Sequence, residues 1–225
     1  RQIAELPGDF RVRLSSIGAT EVTRELIDVI ADHGDKIAPH LHISMQSGSD
    51  SVLRRMRRRW GSRRYIDRCR LLQERLDRPA ITTDIIVGFP GESDAEFQET
   101  LATAREVGFS KIHIFPFSAR RGTPAADMPD QVLKHVQQER SRELAAVESE
   151  LRENYYRSLL GRRLCVLVES KEQGAMSEER EEKGRWSGTS CRYATVELSA
   201  SAADEGQFVD VTASGVRDDR IVATI

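Results

Sequence analysis

The chain has 225 residues, 39% of them hydrophobic and 31% charged, and 34 Lys plus Arg against 36 Asp plus Glu leave a formal net charge of −2. That length can bury a sizeable core as one large domain or as a domain plus a small module, while the near-neutral total excludes reading partners from whole-chain charge. Cys69, Cys165 and Cys191 are far apart and odd in number, which excludes a disulfide framework and a zinc spacing and suits a reducing, cytoplasmic setting. No apolar run approaches the ~18 to 20 residues of a membrane span. The start Arg1-Gln2-Ile3-Ala4-Glu5 has neither an initiator Met nor a signal-peptide pattern, so a piece of a longer protein is expected.

In chain order, residues 10–16 alternate apolar and polar and read as a strand. Thr20 is then placed to cap a helix whose apolar positions include Val22, Leu26, Ile27, Val29 and Ile30, with Gly34 as its stop. A second strand is expected over 41–45, after Pro39, and closes in Gln46-Ser47-Gly48-Ser49-Asp50. An arginine-rich stretch follows, with nine arginines and the single acid Asp67 between positions 54 and 70. A helix comes next, with Tyr65, Ile66, Cys69, Leu72 and Leu76 on one face.

Residues 81–88 form a β-branched apolar run that ends abruptly in Gly88-Phe89-Pro90-Gly91-Glu92, the pattern of a strand covered on both faces and running into a tight turn. Asp94 is placed to cap the following helix, whose stripe is Phe97, Leu101, Ala104 and Val107, and Gly108 ends it. A fourth strand over 111–118 runs into Arg120-Arg121-Gly122-Thr123-Pro124. Strand, polar turn and helix thus recur as βα units of a parallel sheet or barrel.

From Asp130 a long amphipathic helix is expected, carrying acids including Glu139 and Glu153 and ending at Gly161. Short β-like runs at 164–169, 193–198, 208–211 and 220–223 then suggest a small β-barrel, with another acid cluster at 178–182. The expected domains are 1–160 and 161–225.

Three successive strands end in polar, Gly-containing turns, and if those strands are parallel neighbours the turns share one cleft. Freed backbone groups with Gln and Ser side chains suit a polar cofactor such as a nucleoside, although each turn taken singly is ordinary turn chemistry. The arginine stretch with Trp60 and Tyr65 fits a polyanion, because guanidinium groups neutralise phosphates and Trp60 offers a stacking surface; a solvated arginine face with Trp60 in the core is the plainer alternative. His40 and His42 share one face of their strand. With no third ligand at a suggestive spacing, they and His113 read as hydrogen-bonded structural histidines. Ser15, Ser16, Asp84 and Glu92 show no nucleophile or acid–base spacing.

The motifs His42-Ile43-Ser44-Met45-Gln46-Ser47-Gly48-Ser49-Asp50, Thr83-Asp84-Ile85-Ile86-Val87-Gly88-Phe89-Pro90-Gly91-Glu92 and Phe117-Ser118-Ala119-Arg120-Arg121-Gly122-Thr123-Pro124-Ala125 resemble, in order and spacing, the radical SAM methylthiotransferases. The run Gly188-Thr189-Ser190-Cys191-Arg192-Tyr193-Ala194-Thr195-Val196 is similar to part of the RNA-binding TRAM domain that ends many of them. His113-Ile114-Phe115-Pro116-Phe117-Ser118 with Arg57-Arg58-Arg59-Trp60 looks most like the branch acting on threonylcarbamoyladenosine in tRNA, and less like those acting on isopentenyladenosine or a ribosomal protein.

The resemblance implies an α/β fold: the last four βα units of a partial (β/α) radical SAM barrel, followed by a small all-β TRAM-like barrel. It also implies S-adenosylmethionine as cofactor, 4Fe-4S clusters in the full-length protein, tRNA and an electron donor as partners, and an unidentified sulfur donor. By position, Gln46, Ser47, Val87, Gly88 and Phe89 would line the cofactor. Arg57, Arg58, Arg59, Trp60, Arg120 and Tyr193 would face RNA. The family's CxxxCxxC motif is absent, so the 225 residues are expected to be catalytically silent alone. A non-catalytic RNA-binding protein reusing the fold is the competing expectation.

Overall fold

In the computed structural model, which describes residues 1–171, 184–200 and 204–224, four strands lie side by side in chain order: β1 (Val12–Ile17), β2 (Ile37–Ile43), β3 (Ala80–Val87) and β4 (Lys111–Pro116). Every neighbouring pair is parallel. Parallel neighbours need crossover connections, which α1 (Arg24–Asp32), the pair α2 (Asp50–Arg55) and α3 (Ser62–Arg75), and α4 (Asp94–Val107) supply. Period-two alternation sends Leu41, Ile43, Ile81, Ile85 and Val87 toward these helices, into one core with Ile27, Ile30, Tyr65, Leu72, Phe97 and Leu101.

The sequence reading covered both faces of the third strand with apolar packing, and the structure corrects this. His40, His42, Thr82 and Asp84 bond to one another on the helix-free face. Two caps also move. Thr20 sits in a 3-10 turn and Thr23 caps α1, its hydroxyl accepting from Leu26 N, while Ser93 rather than Asp94 caps α4 in a reciprocal pair with Glu96. Gly108 closes α4 in the left-handed conformation, as its sequence position suggests.

α5 (Lys134–Ser158) starts four residues later than Asp130 and joins two cores. Leu144 and Val147 belong to the sheet's core, whereas Tyr156 and the following Leu159 belong to a second one. That second core is the inside of a closed barrel in the order β5-β6-β7-β9-β8, from β5 (Arg163–Lys171), β6 (Gly184–Ser190), β7 (Thr195–Ala200), β8 (Phe208–Arg217) and β9 (Arg220–Thr224). Leu164, Val166, Val196, Leu198, Val211 and Ile221 fill it. The acid cluster at 178–182 lies outside the described residues. No helix of the described residues is long and apolar enough to cross a membrane.

The barrel docks at the amino-terminal ends of the sheet strands. Arg192 donates to the carbonyls of Asp77 and Arg78 in the loop that leads into β3, and the Tyr155 hydroxyl donates to Arg78 O at 3.0 Å. Arg152 joins Glu148 on its own helix to Asp219 in the β8–β9 turn, 2.8 Å from each.

Candidate functional site

The turns after β2, β3 and β4 do lie together at the carboxyl ends of adjacent strands. Gln46 takes a left-handed backbone with φ of 71°, and its N–H and carbonyl bond to Asp84 O at 2.8 Å and Ile86 N at 2.9 Å. This extends the β2–β3 ladder one step past β2. Its side-chain amide takes no partner among the described residues, although the residue is only 9% exposed. Ser47 is committed elsewhere: its buried hydroxyl meets Thr100 Oγ1 on α4 at 3.2 Å and accepts from Ser49 N. Gly48 is required here, since a Cβ would lie 2.7 Å from Thr100 Cα.

The Gly88-Phe89-Pro90-Gly91-Glu92 turn is held from inside. Gly88 N–H donates to Glu92 Oε2 at 2.7 Å, and Arg140 of α5 donates to the same oxygen at 2.8 Å and to Asp94 at 2.7 Å. Burial pushes the Glu92 carboxyl above its ordinary range, opposed by the Gly88 N–H and the Arg140 charge. Phe117 N–H takes the Val87 carbonyl, and a Cβ on Gly88 would lie 2.4 Å from Gln137 Cγ. Val87, Gly88 and Phe89 are therefore a buried wall. Phe89 meets the Phe117 ring edge-on at 5.3 Å.

On the helix-free face the structure assembles a polar array. Thr82 Oγ1 lies 3.0 Å from His40 Nε2 and 3.1 Å from His42 Nδ1, and His42 Nε2 lies 3.2 Å from Asp84 Oδ2. Ser44 Oγ donates to the same carboxylate oxygen at 3.3 Å, and the His113 ring is 5.8 Å from that of His42. Burial, with Arg13 nearby, drives His40 down to about 3, and burial lowers His113 as well, so both rings are neutral at neutral pH. His40 and His42 are hydrogen-bonded, as expected of structural histidines, whereas His113 meets the array through its ring contact with His42. The array's hub is Asp84, which spacing alone passes over; the alternation of 40, 42 and 44 opposite 82 and 84 is the signal that would have found it. Asp84 stays 29% exposed and accessible to a polar ligand.

The arginine stretch divides. Arg55 forks onto Glu96 with two bonds of 2.9 Å and also reaches Gly91 O, Arg63 pairs with Asp67 at 3.3 Å, and Arg70 pairs with Glu106. Arg57, Arg58 and Arg59 are exposed in the α2–α3 loop, without an acidic partner among the described residues. Trp60 is half-buried against the sheet's core, close to Gly18 at the end of β1, with Arg58 over its ring at 5.8 Å. It is less open as a stacking surface than the sequence reading had it. Arg120 is exposed beyond β4. Tyr193 lies apart from these groups, where the barrel meets the sheet, 4.7 Å from the His40 ring and 4.9 Å from the Arg13 guanidinium.

Among the described residues no group of three or more His, Cys, Asp or Glu is arranged to hold a metal. Cys69 is buried in the core with its thiol pushed up to about 12, and Cys191, in the turn just after β6, donates its backbone N–H to the carbonyl of Cys165 on β5 at 2.7 Å.

Residues 1–104 match the radical SAM superfamily model. The chain is 40% identical over 204 residues to the threonylcarbamoyladenosine tRNA methylthiotransferase MtaB of Bacillus subtilis, which covers 91% of this chain and 44% of the relative. The chain is thus similar to tRNA methylthiotransferases over most of its length and to the radical SAM superfamily over its first 104 residues. It is 43% identical over 170 residues to MtaB of Thermotoga maritima, covering 74% of this chain and 38% of the relative. It is also 37% identical over 212 residues to the tRNA-2-methylthio-N(6)-dimethylallyladenosine synthase of Paenarthrobacter aurescens, covering 94% and 41%. The chain thus spans less than half the length of these curated relatives. Among solved structures, coproporphyrinogen III oxidase HemN of Escherichia coli, a radical SAM enzyme, aligns with a TM-score of 0.50 at 17% identity over 62% of this chain and 32% of its own, a likeness of fold.

Proposed function

We propose that this chain is the cofactor-facing and RNA-facing part of a tRNA methylthiotransferase that adds a methylthio group to C2 of threonylcarbamoyladenosine next to the anticodon. The observation that carries the reading is the 40% identity to a threonylcarbamoyladenosine tRNA methylthiotransferase over 91% of the chain. Identity of 37% over 94% to a dimethylallyladenosine synthase supports a second reading, the same chemistry on dimethylallyladenosine.

S-adenosylmethionine, held against a four-iron cluster, supplies the radical and methyl chemistry of such enzymes. The residues fit the first group and not the second. The unpartnered Gln46 amide and the exposed oxygen edge of Asp84 suit the polar portion of the cofactor, with the backbone of the Val87–Phe89 turn as a rigid backing. Three clustered thiolates are missing, so the cluster's ligands lie outside this chain and the 225 residues alone are expected to be silent. Gln46 and Asp84 orient the cofactor's polar groups. Arg57, Arg58 and Arg59 neutralise RNA phosphates beside the strand ends, Arg120 reaches the substrate from beyond β4, and residues 161–225 form the RNA-binding module.

The test is a choice between substrates. Full-length protein, with reductant and sulfide, is given tRNA bearing either threonylcarbamoyladenosine or dimethylallyladenosine, and nucleosides are measured by mass spectrometry. Methylthiolation of the first alone is expected; methylthiolation of the second alone establishes the other reading.

A further inference from the structure

Tyr193 is 41% exposed, yet its ring packs onto the sheet against His40 and Arg13. It stands in the β6–β7 turn with a left-handed φ of 58°, a strained conformation for a non-Gly residue that persists only where surrounding contacts hold it. Those contacts are present. Tyr193 N–H donates to Ser190 O, the buried Ser190 hydroxyl accepts from Arg192 N and Ala194 N, and Arg192 grips the loop before β3. Arg13 of β1 lies over the Tyr193 ring and donates to Ser190 O at 2.9 Å. The turn is locked so that the ring lies against both Arg13 and His40.

From His40 a directed chain leads to the candidate cofactor face. Asp84 Oδ2 accepts from Ser44 Oγ and, in this assignment, from His42 Nε2–H, and Nδ1 of a neutral His42 ring accepts from the Thr82 hydroxyl. Thr82 Oγ1 then accepts from His40 Nε2–H. This leaves His40 Nδ1 without a proton, and that buried atom has no hydrogen-bond partner. This assignment of protons satisfies every link, and the His40 ring plane remains to be fixed from outside the sheet. The Tyr193 ring does that.

We propose that Tyr193 is a positioning residue: packed against Arg13 and His40, it sets the His40–Thr82–His42–Asp84 chain and so ties docking of the small barrel to the geometry of the polar end of the cofactor face. The inference rests on the reading of that face as the S-adenosylmethionine site. A ring at this position then serves cofactor binding and leaves RNA affinity to the arginine loop, Arg120 and the rest of the barrel.

The experiment uses full-length holoprotein. S-adenosylmethionine binding is measured by equilibrium dialysis, and binding of an anticodon stem-loop RNA by fluorescence anisotropy. Tyr193→Leu is expected to weaken cofactor binding at least fivefold while stem-loop affinity stays within twofold, and Tyr193→Phe is expected to restore the cofactor. A fall in stem-loop affinity with unchanged cofactor binding overturns the proposal and makes Tyr193 an RNA contact. Should Tyr193→Leu fail to fold, Thr82→Val cuts the chain at its shared hydroxyl without touching the barrel. Fivefold weaker cofactor binding supports the proposal there, and unchanged binding overturns it. A wild type that binds the stem-loop but no S-adenosylmethionine overturns the reading of the face as well. A wild type that binds both, with both variants unchanged, overturns this inference alone.

Discussion

At the scale of single residues, Glu92 and Arg140 explain why the strand-to-helix turn beside the candidate site keeps one shape. A buried carboxylate with its proton affinity raised favours the folded state below its ordinary value of 4.5, and that contribution is lost as pH rises through the higher folded value. The ionised form is tolerated because Arg140, itself buried, lies 2.8 Å away. Removing the cation strands the anion. Arg140→Met is therefore expected to lower stability by about 3–5 kcal/mol at neutral pH and by less as Glu92 takes up its proton in acid. Denaturant midpoints across pH check this, and a deficit independent of pH would contradict it.

The sequence displays both partners but not their meeting, because positions 92 and 140 are brought together only when α5 crosses the end of α4. Helix caps show a smaller version of the same limit. Thr20 and Thr23, like Ser93 and Asp94, both satisfy the residue preference, and the backbone angle at the helix start chooses between them.

At the scale of elements, periodicity carried most of the information. The four parallel strands, their crossover helices and the long α5 follow from apolar spacing and glycine stops. The barrel strand β6 did not, because Arg185-Trp186-Ser187-Gly188-Thr189 has no alternating apolar run. Gly188 there answers to a close approach, since a Cβ would lie 2.2 Å from Leu167 O. The arginine stretch read as one unit and folds as three pieces, two helices and the loop that presents Arg57, Arg58 and Arg59. Charge density could not separate arginines paired across α4 from exposed ones. Replacing those three by Ala is expected to weaken tRNA binding by full-length protein for all tRNA sequences alike. Losing three phosphate contacts would reduce the slope of log affinity against log salt by roughly 2 to 3. An unchanged slope in a salt titration would remove this loop from the RNA surface.

At the scale of the whole molecule, two cores share one helix, and the small barrel is fastened to the sheet by Arg192, Tyr155 and Arg152 rather than joined by a loose linker. Motif order made the sequence of units legible. The docking was not, because it rests on side chains reaching backbone carbonyls far away in sequence. The candidate site was legible in the same measure: its turns announce themselves by Gly and Pro, and its polar array appears only when β2 and β3 are in register. The claim that joins these scales is that the chain serves a tRNA methylthiotransferase. It is tested most directly by quantifying 2-methylthio-threonylcarbamoyladenosine in tRNA from cells lacking the full-length gene. Loss of that nucleoside, with its threonylcarbamoyladenosine precursor accumulating, is the predicted result; an unchanged level would contradict the account.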